Sequence, residues 1–365
     1  MRITIGGDVS VHGYDDSDEI FLAEKLLAEQ DAETLFKDVP TAFTKSDRVI
    51  VNLECAITDK NTAIRKCGPN LKAPFGTAEV LKKIGVTDCC VSNNHIFDYG
   101  KAGVKDTFEQ LNKNELGYTG FGENVFDARK DMIIEKEGKK IAVICVSEHE
   151  FCQALPDRMG AREYDPYDTN DDIVKAKQEN DFVIVIYHGG KEEFPYPSPR
   201  LHKACRSMIK HGADVVLCQH SHCIGCYENY LGGHILYGQG NFHFLHAQEV
   251  LMKARYWTEG LLVHLDIGDK IEISFIPTVM EKDGTRLANP EEKTLILKEF
   301  EERNKILREG GWLKIWKGSC QTWNEYKNLV EPEKEYLLAH FLDCEAHTDV
   351  LRELYYTWNQ TNEKE

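Results

Sequence analysis

The stretch Asp214-Val215-Val216-Leu217-Cys218-Gln219-His220-Ser221-His222 passes directly from an unbroken apolar run to two histidines separated by one residue. A strand covered by protein on both faces is apolar at every position, whereas a strand with one wet face alternates. Val215 to Cys218 therefore reads as a central strand of a largely parallel sheet. The polar residues that follow stand at its carboxyl end. The same grammar recurs along the chain. "RITI" (2–5) precedes Gly6-Gly7-Asp8, "RVIV" (48–51) precedes Asn52-Leu53-Glu54, and "CCV" (89–91) precedes Ser92-Asn93-Asn94-His95. "IAVICV" (141–146) precedes Ser147-Glu148, and "FVIVIY" (182–187) precedes His188-Gly189-Gly190.

Between these runs, residues 17–27, 78–84, 104–111 and 201–211 carry apolar positions at helical spacing, the last closing on Gly212 as a C-cap would. Strands alternating with helices predict an α/β fold, in which ligands collect beyond the carboxyl ends of the strands. From Gly233 onward "HILYG" (234–238), "EGLLVHLDIG" (259–268) and "KIEISFIPTVM" (270–280) read as successive strands with a tight turn at "GDK", completing a sheet in antiparallel fashion. Residues 290–311 and 332–358 then show apolar residues at three and four spacing. The expected organisation is a core of residues 1–284 and a helical extension, 285–365, packed on it.

The chain has 365 residues, 42% of them hydrophobic, enough for a sizeable buried core. Acidic residues outnumber basic ones, 61 to 44, for a formal charge of -17, which argues against nucleic acid or an anionic membrane surface as a partner. The start, "MRITIGGDVS", runs straight into a strand, and no apolar run reaches the roughly 20 residues that span a bilayer, so a cytoplasmic location is expected. Twelve scattered cysteines in a chain of this size are expected to be reduced thiols.

Singly, each residue at these strand ends has an ordinary reading: Asp8 as a turn residue, Glu54 as a surface acid, Asn93-Asn94 as left-handed turn formers, His188 as a strand cap. Together they place carboxylate, carboxylate, Asn-His, His and His-x-His at the ends of five apolar strands. Imidazole nitrogen and carboxylate oxygen suit Zn, Mn and Fe, and a carboxylate can bridge two ions about 3.5 to 4 Å apart. The set reads as a dinuclear metal site. Two side chains separated by one residue share a side of a strand and diverge as it unwinds, so His220 and His222 can serve different ions.

The ordered motifs "GGD" (6–8), "NLE" (52–54), "NNHIFDYG" (93–100), "HGGKEE" (188–193), "GADVVLCQHSH" (212–222) and "YGQGNF" (237–242) resemble those of the bacterial capsule synthesis protein CapA family. That family is associated with poly-γ-glutamate and belongs to the calcineurin-like metallophosphoesterase superfamily. The resemblance runs from about Arg2 to Phe242. It implies a four-layer α/β/β/α sandwich with the site at one edge of the sheets. It further implies Asp8 on one ion, Glu54 bridging, Asn94, His188 and His220 on the second ion, and His222 on the first. His95 resembles the superfamily histidine that protonates a leaving group, with Asp98 orienting it. Asn52 and Asn241 would support the ligands by hydrogen bonds. Two divalent cations so held would acidify a water between them and draw charge from a phosphoryl or acyl centre.

The chain departs from the superfamily at its first motif. Asp8-Val9-Ser10 stands where Asp-x-His is usual, so the first ion is expected to be held more weakly unless His12 reaches it. Cys223-x-x-Cys226 directly after the histidines is read as a turn into a hairpin, with a redox pair or a zinc-thiolate site as the alternatives. Among the cations after His188, Lys191 and Arg200 are the expected contacts for an anionic phosphate or carboxylate, with solvated loop charge as the alternative.

The resemblance points first to a metal-dependent hydrolase acting on a phosphoester or a glutamyl-type amide, linked to poly-γ-glutamate or capsule metabolism. A second reading is a metal-independent acid/base enzyme of epimerase or isomerase type on the same scaffold. A third is a non-catalytic polymer-binding or assembly protein. The expected partner is an anionic small molecule or polymer.

Overall fold

The computed structural model describes residues 1–10, 29, 31–66, 68–244, 254–322 and 340–362. The helix expected over 17–27, His12, and the start of the second C-terminal helical stretch lie outside these residues.

Two sheets carry the fold. The first runs in the order β18 (Gly284–Leu287), β17 (Ile271–Glu281), β16 (Glu259–Ile267), β1 (Arg2–Ser10), β2 (Arg48–Leu53), β5 (Asp88–Cys90), β6 (Gly117–Thr119). The strand β15 (Asn241–Phe244) lies parallel to the carboxyl end of β1. The second runs in the order β13 (Tyr227–Tyr230), β14 (Gly233–Leu236), β12 (Val215–Gln219), β11 (Phe182–His188), β9 (Lys139–Ser147), β8 (Met132–Lys136). Short pairs, β3 (Ala56–Ile57) with β4 (Lys72–Ala73) and β7 (Phe121–Gly122) with β10 (Gly160–Ala161), lie apart from both.

The uniform apolarity of the central strands has a direct cause. In β11, Phe182, Ile184 and Ile186 enter an apolar cluster shared with Ile3, Ile5, Ile50 and Val263 of the other sheet. Val183, Val185 and Tyr187 enter a different cluster, with Ile173, Leu201 and Met208 from the helices Asp168–Glu179 and Pro199–Lys210. Side chains alternate faces along a strand, so a strand with a sheet on one side and helices on the other must be apolar throughout. The first sheet repeats the pattern: Ile50 faces the second sheet, while Val49 and Val51 join Val80, Leu81 and Leu111 of the helices Gly76–Lys83 and Gly100–Lys113. The layers are therefore helix, sheet, sheet, helix, as expected. Each fully buried Ile, Val or Leu contributes about 1.5–3 kcal/mol of burial free energy.

Helix ends follow local chemistry. Ser198 Oγ accepts from Leu201 N–H at 3.1 Å with Pro199 in the first turn, so the helix starts two residues before the apolar pattern does. Gly212, at φ 117, lies in the left-handed region that glycine enters without cost and lets the chain turn back into β12.

One expectation is corrected. The "HILYG" strand, β14, does not join the antiparallel strands of the first sheet; it pairs parallel with β12 in the second sheet and antiparallel with β13. β16, β17 and β18 form an antiparallel run that begins on β1, which also pairs antiparallel with β16, and Gly268 N–H donates to the Lys270 carbonyl at the turn. Beyond β18 the helix Pro290–Arg308 is capped by Asn289 in a reciprocal arrangement with Glu292. Its Ile296 and Phe300 enter the core between the sheets, while Trp312, Trp316, Val350 and Leu354 from later helices cover the outer face of the second sheet. Among the described residues no helix is long and apolar enough to cross a membrane.

Candidate metal centre

The carboxyl ends of β1, β2, β11 and β12 meet at one edge of the two sheets. Asp8 is placed there by a close approach. A Cβ on Gly7 would lie 2.0 Å from the Gly240 carbonyl oxygen, so only glycine lets β15 run beside β1. The resulting register sets Asp8 opposite Asn241 on one side and Asn52 on the other. Asp8 is fully buried. Its Oδ1 accepts from Asn52 Nδ2 at 2.7 Å and its Oδ2 accepts from the His220 backbone N–H at 2.9 Å.

Glu54, one residue past β2, is also fully buried, and neither of its carboxylate oxygens has a hydrogen-bond partner. A buried unsatisfied acceptor costs about 1–3 kcal/mol, more when charged. His188 Nε2 lies 3.3 Å from Glu54 Oε1, 3.0 Å from Asn94 Oδ1 and 3.1 Å from His220 Nδ1. One N–H can satisfy only one of these acceptors.

His220 and His222 leave β12 at φ 82 and 51, left-handed conformations that non-glycine residues adopt at a cost of order 1–3 kcal/mol. Those two steps deliver both imidazoles into the same pocket. His222 Nδ1 lies 2.9 Å from Asn241 Oδ1, and Asn241 Nδ2 donates to the Trp257 carbonyl at 2.9 Å. The Trp257 contact fixes the Asn241 amide, so His222 Nδ1 carries the proton and the lone pair rests on Nε2. Phe244 and Trp257 pack against the His222 ring at centroid separations of 4.7 Å each.

Among the described residues, two groups each bring their potential ligand atoms within 4.8 Å of one another: Glu54, His188 and His220, and Asp8, Glu54 and His222. Glu54 belongs to both sets. Electrostatics favour the same conclusion. Burial first, then the Glu54 charge, push Asp8 up to about 7. Burial, then the charges of Glu192 and Glu150, push Glu54 well above the carboxylate range. Burial lowers His188, and burial followed by the neighbouring imidazoles lowers His220 well below the histidine range. The imidazoles are thus held neutral, the form that ligates, and the carboxylates lack a counter-charge that a cation would supply. These donors fit divalent metal ions.

Beside this set, His95 Nδ1 lies 2.6 Å from Asp98 Oδ2. Burial, then the Lys66 charge, lower His95 to about 4. The sequence reading missed Lys66, whose Nζ lies 2.5 Å from Asp98 Oδ1 and 3.1 Å from His95 Nδ1. It also missed Glu150, which bonds the Asn94 side chain, and Asn93, whose Nδ2 donates to Asn52 Oδ1 at 3.0 Å. Glu192 Oε1 stands 3.8 Å from His220 Nε2.

The two expected anion contacts fare differently. Lys191 lies with Nζ 5.0 Å from the Phe194 ring centroid, and burial lowers its pKa. Arg200 is committed elsewhere: its Nε donates to Asp349 Oδ2 at 2.9 Å, its Nη2 pairs with Glu148, and its Nη1 donates to the Tyr187 hydroxyl at 3.4 Å. Two carboxylates already hold this guanidinium, and through Asp349 it ties the helix Glu345–Asn362 to the core. Cys223 and Cys226 are buried free thiols, Cys223 pushed up to about 12 by burial, and neither joins a candidate metal group among the described residues.

Residues 2–245 match the family model described as "Bacterial capsule synthesis protein PGA_cap". The chain is 33% identical over 226 residues to the "PGA biosynthesis protein CapA" of Bacillus subtilis (strain 168), covering 60% of this chain and 59% of that protein. It is 29% identical over 254 residues to the "Capsule biosynthesis protein CapA" of Bacillus anthracis, covering 67% and 60%. The chain thus spans about three fifths of the length of the curated relatives it matches. Among solved structures, a Mycoplasma pneumoniae protein described as a novel phosphatase aligns at 14% identity and TM-score 0.47, over 80% of this chain and 95% of that one.

Proposed function

Because the chain belongs to the bacterial capsule synthesis protein PGA_cap family, we propose that it is a metal-dependent hydrolase acting on a phosphoester or a glutamyl-type amide in poly-γ-glutamate or capsule metabolism. The observation that carries this reading is Glu54: a fully buried carboxylate with both oxygens unsatisfied, common to two groups of ligating side chains. Asp8, Glu54 and His222 would hold one ion; Glu54, Asn94, His188 and His220 would hold the other. Mn, Fe and Zn suit these donors. Such ions supply Lewis acidity and a water of lowered pKa.

The chain's own residues do the rest. Asn52 and the His220 backbone N–H orient Asp8, Asn241 fixes the His222 tautomer, and Asn93 holds Asn52. His95, backed by Asp98, would return a proton to the leaving group. Lys191 would meet the anionic part of the substrate, which a protein of formal charge -17 must capture locally. The anchored imidazoles and the Phe244–Trp257 wall exclude water from one side of His222.

The test is elemental analysis after purification without chelator, together with a panel of phosphoesters and γ-glutamyl peptides. Two ions per chain with chelator-sensitive hydrolysis of one class support the proposal. Activity that survives complete metal removal would instead favour acid/base chemistry without metal, and metal without hydrolysis would favour a binding role.

A further inference from the structure

Lys66 lies between β3 and β4 in a loop whose neighbours Asn61, Thr62, Ala63 and Arg65 are exposed, yet its own side chain is 1% exposed. Burying an ammonium costs several kcal/mol unless it is well paired. Its partner is Asp98, at 2.5 Å from Oδ1. The other oxygen, Oδ2, lies 2.6 Å from His95 Nδ1 and accepts the Leu71 backbone N–H at 2.7 Å. The Phe151 ring closes over the ammonium, its centroid 5.2 Å from Nζ. The loop itself is anchored to the same turn: Ile64 N–H donates to the Asp98 carbonyl at 2.8 Å, and Asn70 Nδ2 donates to that carbonyl at 3.0 Å.

A carboxylate only accepts, so the His95 nitrogen facing Asp98 Oδ2 must carry a proton, and the lone pair falls to Nε2. The ammonium, 3.1 Å from that same Nδ1, cannot donate to it while the proton is there. Lys66 and His95 therefore donate to different oxygens of one carboxylate, with the Leu71 N–H as the second donor on Oδ2. Remove the ammonium and Oδ1 becomes a buried acceptor with no donor, free to pull the ring or the carboxylate out of register.

We propose that Lys66 is a positioning residue of this centre: by occupying Asp98 Oδ1 it leaves Oδ2 to His95 and the Leu71 N–H and fixes the imidazole as the Nδ1–H tautomer, with Nε2 available for proton transfer. The proton-transfer role rests on the hydrolase reading; the tautomer does not. The test uses zinc-loaded protein labelled with ¹⁵N-histidine, as wild type, Lys66→Arg and Lys66→Met. Wild type and Lys66→Arg should show His95 as Nδ1–H, and Lys66→Met a mixture of tautomers. On a substrate that wild type hydrolyses, Lys66→Met should lose about 10- to 100-fold in kcat, with KM and metal content unchanged, and Lys66→Arg should recover most of it. His95 found as Nε2–H in the wild type, or an unaltered Nδ1–H spectrum in Lys66→Met, would overturn the proposal. A wild type that hydrolyses neither substrate class would remove the hydrolase reading while the tautomer result still decides the role of Lys66.

Discussion

Asp8 Oδ2 accepts the backbone N–H of His220 at 2.9 Å, joining the end of β1 in one sheet to the turn after β12 in the other. The bond holds the His220 backbone in its left-handed conformation from the side of the carboxylate it shares the pocket with. Carboxylate and turn form one unit.

Asp8→Ala should therefore do more than remove a ligand. It deletes the acceptor for His220 N–H and for Asn52 Nδ2. Metal content is expected to fall by about one ion per chain, the ion shared with His222, and the second to weaken as the His220 turn relaxes. Elemental analysis of wild type and variant side by side reads both effects; unchanged stoichiometry would count against Asp8 as a ligand.

Ser10, two residues past Asp8 on the same side of β1, is fully buried and its Oγ has no hydrogen-bond partner. The resemblance of the first motif implies a histidine at this position in the wider superfamily. Ser10→His should supply the missing donor and tighten the weaker of two metal-binding steps in a calorimetric titration, by about tenfold or more if the imidazole fits. An unchanged titration would place the weak step elsewhere.

Away from the site, Arg286 pairs bidentately with Glu292, at 2.7 and 2.8 Å, and holds its carboxyl down to about 2. A depressed carboxyl pKa contributes stability that is fully present above the ordinary value of 4.5 and is lost as pH falls through about 2. Glu292→Gln should lower the stability measured at pH 7 and converge with wild type near pH 2. Because Glu292 is partly exposed and also completes the Asn289 cap, high salt should shrink the difference without abolishing it.

The layer order makes a packing prediction as well. Ile184, fully buried between the sheets, should cost about 2–5 kcal/mol on substitution to Ala. Ile133, 42% exposed on the edge strand β8, should cost within about 0.5 kcal/mol. Urea unfolding of the two variants distinguishes a two-sheet core from a single-sheet one.

Much of this was legible in the sequence because buried parallel strands announce themselves by uniform apolarity, and their carboxyl ends follow at once. Asp8, Glu54, Asn94, His188, His220 and His222 could be placed together on that ground. What was not legible depended on long-range contact. Lys66 sits in a loop of exposed residues with no strand pattern, and only the fold carries it to Asp98. Glu150 lies past a strand end but meets Asn94 through the path of the following loop. Arg200 looked like a substrate contact because its neighbours Glu148 and Asp349 are 52 and 149 residues away in sequence. The parallel pairing of β14 with β12 is not legible because a short apolar run does not say which neighbour it pairs with.

The proposed role of Glu54 as a ligand common to both ions is tested most directly by thermal unfolding of wild type and Glu54→Gln, each with chelator and with saturating Zn or Mn. In chelator the variant should melt at or above wild type, since it no longer buries a carboxylate without a counter-charge; with metal the order should reverse, because ions bound only by the native state stabilise it by mass action. A variant that melts below wild type in chelator and gains as much from metal as wild type does would contradict it.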